Sequence, residues 1–244
     1  YAMDQDEYDT FAEAIGQFNS ALKGENDSDV YDECEKLMED FLDENKPEVA
    51  EKTDAEINGE AVKSNVITYT FDKDDIVKLT ENYFDIVLDG MDEDVSEYYT
   101  NEELKEEVMS LFDELDSLDM EIVYYINNKT HVLMQGELNV KAVSGEETVE
   151  IGLSMVYGAD PAAAKEQTFE ASAKVGEDKY SLIVTAENED NSTTFNFDIA
   201  GVSGGMNFTT NFMTIECERT DMNYTIKISI PMATVEGEIN GTVK

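Results

Sequence analysis

From Met120 onward the apolar residues of this chain stop recurring every three to four positions and begin to alternate with polar ones. Phe169, Ala171, Ala173 and Val175 alternate, as do Tyr180, Leu182 and Val184. So do Phe195, Phe197 and Ile199, and then Tyr224, Ile226, Ile228 and Ile230. The positions between them carry Thr, Asn, Ser, Lys and Glu. A two-residue period with one wet side requires strands buried on one face only, which is antiparallel behaviour. The separators are short and turn-rich, such as Asn127–Lys129, Ser144–Glu147 and Gly176–Asp178. They predict a meander with strands over 120–126, 130–143, 148–157, 167–175, 179–188, 192–200, 206–219, 224–230 and 233–243. Strands never alternate with helices here, so the doubly wound and eight-fold barrel architectures are excluded.

Before Met120 the period is helical. Tyr8, Phe11, Ala12, Ile15, Phe18 and Leu22 predict a helix over 4–23, stopped by Gly24. Val30, Cys34, Leu37 and Phe41 predict a second over 30–44, ended ahead of Pro47, so residues 1–45 read as a helical hairpin. Lys46–Asp54 is charged and without pattern, and reads as a linker. Asn58-Gly59 is a strong hairpin signal leading into a strand over 62–71. Asp72 caps a helix over 73–91. Thr100-x-x-Glu103 is a capping box that opens another over 101–117. A wide meander curls and needs something on its apolar face. The expected class is therefore α+β, with a large curved antiparallel sheet over 55–244, half-barrel-like, wrapped around or packed on the helices as one integrated domain.

Charge narrows the partners. The net charge is −41, of which −30 falls in residues 1–119. Such a field repels phosphate, so neither nucleic acid nor an anionic headgroup is expected. Arg219 is the single arginine, which leaves no bidentate phosphate clamp. No apolar run approaches the ~18 residues of a membrane span. The sequence begins at Tyr1, and a leader or membrane tether upstream of it is the expectation.

Chemistry is sparse. His131 is the lone histidine, beside a turn, without the partners a zinc set or a triad needs. Gly201, Gly204 and Gly205 sit between strands and open no helix, so they cradle no phosphate. Cys34 and Cys217 read as two small apolar residues or as one disulfide. Three acidic segments, Asp72–Asp75, Asp89–Asp94 and Asn188–Ser192, are the candidates for calcium loops. Loops begun at Asp92 or Asp27 place Glu97 or Asp32 where an EF-hand needs glycine. No catalytic, cofactor-binding or metal residues are therefore assigned, and a non-enzymatic protein is expected. What remains is apolar: Met134, Met155, Phe169, Tyr180, Phe195, Phe197, Phe208 and Phe212 are spread along the sheet. They form either a filled core or the lining of a hydrophobic site.

Ile57-Asn58-Gly59-Glu60 leading to Val66–Phe71, then a helix pair, then a Thr/Asn-rich meander, resembles extracytoplasmic proteins and lipoproteins of low-GC Gram-positive gut bacteria. In architecture it resembles the half-barrel of the lipoprotein-carrier and mycobacterial lipid-carrier families (LolA-like, LppX-like). That resemblance implies an extracytoplasmic, membrane-anchored or cell-surface binding module. Its ligand would be a lipid or other hydrophobic molecule between sheet and helices. It carries no functional residues across. The alternative is a structural or interaction protein of the cell envelope, with a filled core and an acidic face for a partner or cations.

Overall fold

The computed structural model describes residues 28–89, 100–220, 223–231 and 233–240. The helix expected over 4–23 lies outside them. The chain is α+β and divides into two compact units. One combines residues up to Lys46 with Phe71–Leu118, and the other combines Pro47–Thr70 with Asp119 onward.

The first unit is helical. Helix α1 spans Ser28–Glu44, α2 Lys73–Asp89 and α3 Asn101–Asp113. Each end has a physical cause. At the close of α1 the Asn45 backbone N–H and side-chain amide both donate to the Phe41 carbonyl, at 3.1 and 3.0 Å, satisfying an end carbonyl. At the start of α2, Asp75 N–H donates to Asp72 Oδ1 (3.1 Å) and Asp72 N–H to Asp75 Oδ2 (3.3 Å). That is a capping box built from two aspartates. At α3 the box expected from Thr100-x-x-Glu103 is present: Glu103 N–H donates to Thr100 Oγ1 and Thr100 N–H to Glu103 Oε2. These bonds hold the Glu103 carboxyl below the usual glutamate range, the Thr100 backbone bond contributing most. The apolar stripes meet in a small core of Phe84, Val87 and Leu104, against which Val30, Cys34, Tyr83, Leu88 and Val108 pack. Phe41 stacks on Phe71 with ring centroids 4.8 Å apart.

The second unit is an eleven-stranded antiparallel sheet whose order follows the chain. Its strands are β1 Glu48–Ile57, β2 Glu60–Phe71, β3 Ser117–Asn127, β4 Leu133–Ser144, β5 Glu147–Val156 and β6 Glu166–Val175. They continue as β7 Asp178–Asn188, β8 Ser192–Ser203, β9 Met206–Thr220, β10 Asn223–Ile230 and β11 Ala233–Asn240. Among the described residues the sheet does not close, and β1 and β11 are its edges. The meander and its turns match the sequence expectation.

One expectation fails. Lys46–Asp54 is not a linker, because β1 begins at Glu48 and pairs with β2 from Glu48↔Thr68 to Ile57↔Glu60. Its residues from Glu48 to Asp54 are exposed on both sides of the strand, so no apolar alternation marks it. Backbone pairing holds it in place. The β1–β2 turn has Asn58 at φ 50° and Gly59 at φ 77°. Positive φ at both central residues is the geometry that makes Asn-Gly a hairpin signal.

The sheet bends within its first five strands. The Asn58 side-chain amide at the β1–β2 tip donates to the Glu166 carbonyl at the start of β6 (3.1 Å). Around that bend Ala55, Ile57 and Met134 form a buried core with Val62, Tyr125, Val156 and Ala159 packed on it.

Candidate functional site

Register fixes which side chains share a face beyond that corner. Ile151 pairs with Ala173, which pairs with Tyr180. Tyr180 pairs with Gly201, which pairs with Phe208. One rung along, the row runs Leu138, Leu153, Ala171, Leu182 and Ile199. The next runs Met155, Phe169, Val184, Phe197 and Met213. Phe195, Ile215 and Ile228 continue the same face toward β10.

The register shifts between Phe197 and Asp198, so the partner strand places Phe212 as an extra residue between Asn211 and Met213. A bulge of this kind puts two successive side chains on one side. Phe212 accordingly reaches the Phe197 ring at 6.1 Å. The sequence carried the signal: apolar parity in β9 is even at Met206, Phe208 and Phe212, and odd at Met213, Ile215 and Cys217.

This apolar face is open. Ile151 is 47% exposed, Leu153 37%, Leu182 38% and Ile199 42%. Met155, Val175, Tyr180, Phe208 and Ile228 are exposed as well. A shallow hollow of about 630 Å³ runs across the centre, over Ile151, Leu153, Ala171, Ala173, Leu182 and Phe212. Small Ala171 and Ala173 lie between larger residues on β5 and β7, which makes the surface concave. Gly201 lets the Phe208 ring settle onto the sheet, since a Cβ there would come within 2.8 Å of that ring and 2.5 Å of the Lys179 carbonyl. Tyr180 lies 6.2 Å from the Phe208 ring and donates its hydroxyl to Ser203 Oγ (3.2 Å).

The opposite face is polar and internally paired. Lys174 meets Glu150 at 3.1 Å, Lys179 meets Glu170 at 3.7 Å and Lys227 meets Glu216 at 2.8 Å. Ser181 donates to Glu170 (2.8 Å), and Thr214 donates to Asn196 (3.1 Å).

Of the eight residues singled out for a hydrophobic lining, seven lie on the apolar face: Met155, Phe169, Tyr180, Phe195, Phe197, Phe208 and Phe212. Met134 shares the parity of Leu138 in β4 but is fully buried, in the core with Ala55 and Ile57. Ile151, Leu153, Leu182 and Ile199 were missed as lining residues, although their alternation gave the signal.

The remaining sequence candidates are accounted for locally. His131 is exposed at φ 58° and its N–H closes the β3–β4 turn on the Asn127 carbonyl (2.9 Å). Asp72 and Asp75 cap α2, as described. Asn188–Ser192 is a strand connection in which Glu189 N–H donates to the Ser192 carbonyl (2.8 Å). Among the described residues no group of three His, Cys, Asp or Glu side chains could hold a metal ion. Loops at Asp27 and over 90–94 fall outside them. Cys34 and Cys217 are both free thiols. Burial pushes the Cys34 thiol up, with a smaller push from Glu33. No described helix is long and apolar enough to cross a membrane.

No protein-family model, no curated protein and no solved structure matches the chain.

Proposed function

We propose that this chain is a binding module whose working surface is the apolar face of β5–β10, and that it holds a hydrophobic ligand there. The observation that carries the reading is the contiguity of large exposed apolar side chains over five or more strands. Isolated exposed apolar residues are ordinary, whereas a patch of several hundred Å² marks an interaction surface. An extracytoplasmic setting is part of the reading and rests on the resemblance of the sequence pattern alone.

The test is native mass spectrometry of the purified chain, with solvent extraction of any bound species, alongside Nile red fluorescence. The expected result is a bound apolar species, or a Nile red enhancement that falls when Leu182 and Ile199 are changed to Asn. A bare mass together with no dye response sinks the proposal.

A second reading has its own observation. On α1, Asp32, Glu33, Glu35, Glu39, Asp40, Asp43 and Glu44 are all exposed, against Lys36 alone. A basic protein partner or cations would be attracted to that face. Titration with Ca²⁺ and with a basic peptide tests it. Heats that vanish at physiological salt would reduce that face to a solvating one.

A further inference from the structure

We infer that the occupant of the apolar sheet face is a cationic amphipathic segment of a partner protein: an apolar stripe with lysines or arginines at one end. The inference rests on the sheet-face reading above and adds the sign and size of the ligand.

Strand alternation has sorted the lysines of the sheet. The lysines of β4–β10 are Lys141, Lys174, Lys179 and Lys227. Register places all four on the polar face. Lys141 and Lys174 both stand opposite Glu150, Lys179 stands opposite Lys174, and Lys227 stands opposite Glu216. Three of the four are in ion pairs there.

By the same register, the charged positions on the apolar face of β4–β10 are Glu147, Asp178 and, toward the opposite end of the strands in β9, Arg219. The two acidic residues stand together at one end of the sheet. Glu147 opens β5 and Asp178 opens β7, next to Glu146 and Glu177 in the adjoining turns. The Val149↔Val175 pairing puts those two turns side by side. The apolar field thus ends in four carboxylates, and no lysine shares its face.

Size speaks against a single acyl chain. At about 4.8 Å between strands and 3.3 Å per residue, the field from β5 to β9 measures roughly 20 Å across and 20 Å along the strands. One acyl chain covers a narrow strip of that. An amphipathic helix about 10 Å wide, with its flanking side chains, covers most of it. Charge speaks against two other occupants. A second copy would bring another −41 to the contact, and an anionic lipid surface would be repelled by the same field.

The experiment uses the full chain and a labelled 18-residue helical peptide with a leucine stripe and lysines at one end. Fluorescence anisotropy is read at low and at moderate salt. Two controls accompany it, one with glutamates in place of the lysines and one with the lysines but no leucines. The leucine–lysine peptide should bind. Affinity should fall roughly tenfold in Glu146→Gln/Glu147→Gln/Glu177→Gln/Asp178→Asn, and by a similar factor in Leu182→Asn, with far-UV circular dichroism unchanged in both.

Equal binding of the glutamate peptide, or no loss in the neutralised variant, overturns the cationic assignment and leaves the hydrophobic reading standing. Equal binding of the leucine-free peptide reduces the effect to the general field and also overturns it. Co-sedimentation with zwitterionic vesicles that Leu182→Asn abolishes, without peptide binding, makes a lipid surface the occupant instead. Absence of peptide, vesicle and Nile red binding together removes the sheet-face reading itself.

Discussion

The two ends of the sheet use the same alternation and reach opposite outcomes. In β1–β5 the bend brings the β1–β2 tip onto the start of β6, and Ile57 and Met134 are 1% and 0% exposed. In β5–β10, Ile151, Leu153 and Ile199 share one face by register and remain in contact with solvent. Apolar patterning therefore specifies which face of a strand is hydrophobic, and does not specify that the face is covered. In the corner that face contributes stability. In the field the apolar side chains stay in contact with solvent.

The sharpest way to break this contrast is a pair of truncations. Met134→Ala should destabilise the chain by about 2–5 kcal/mol, since it opens a void in a closed core. Leu153→Ala, a change of similar size, should cost under about 1 kcal/mol, because the side chain already meets water. Urea unfolding of both variants reads the difference, and equal losses would mean that the field is packed in solution. A smaller effect is expected at Gly201→Ala, where the new methyl must displace the Phe208 ring and crowd the Lys179 carbonyl. A loss of about 1–3 kcal/mol is expected, with altered dye binding. A variant as stable as the parent would show that Phe208 is not seated on the sheet.

The smallest effect lies in the helical unit and depends on pH. The Glu103 carboxyl is held below its unfolded value, so its contribution is present above the unfolded pKa and fades as pH falls through the folded one. Glu103→Gln keeps an acceptor that does not titrate. The stability advantage of the parent over this variant, followed by helix signal, should therefore shrink on acidification below about pH 4.3. An advantage that stays constant there would assign no role to the ionised cap.

Much of the fold was legible. Helices α2 and α3 were marked by Asp72 and by the Thr100–Glu103 box, and β6–β10 by alternation, because each signal is local. Strand β1 was not legible, because residues 48–54 are exposed on both sides and are held by backbone bonds that leave no side-chain pattern. The sequence put seven of the eight singled-out residues on the face now proposed as the site. It could not separate Met134 from them, since what buries Met134 is packing on Ala55 and Ile57, which lie far from it in the chain. The bulge at Phe212 was written in the parity change along β9, where a strand read as regular hides it.

The order of the sheet also bears on how the chain acquires its structure. Nearly every strand neighbours the one before it across a short connection, so each hairpin can close in microseconds without waiting for distant chain. The pairing of β2 with β3 is different, because the chain leaves the sheet between them to build α2 and α3. Loop closure over that stretch carries a larger entropic cost than any turn in the meander. The β1–β2 hairpin and the strands from β3 onward can therefore each pair internally before that longer connection closes. The join between them is the step whose rate depends on whether the intervening helices have already formed.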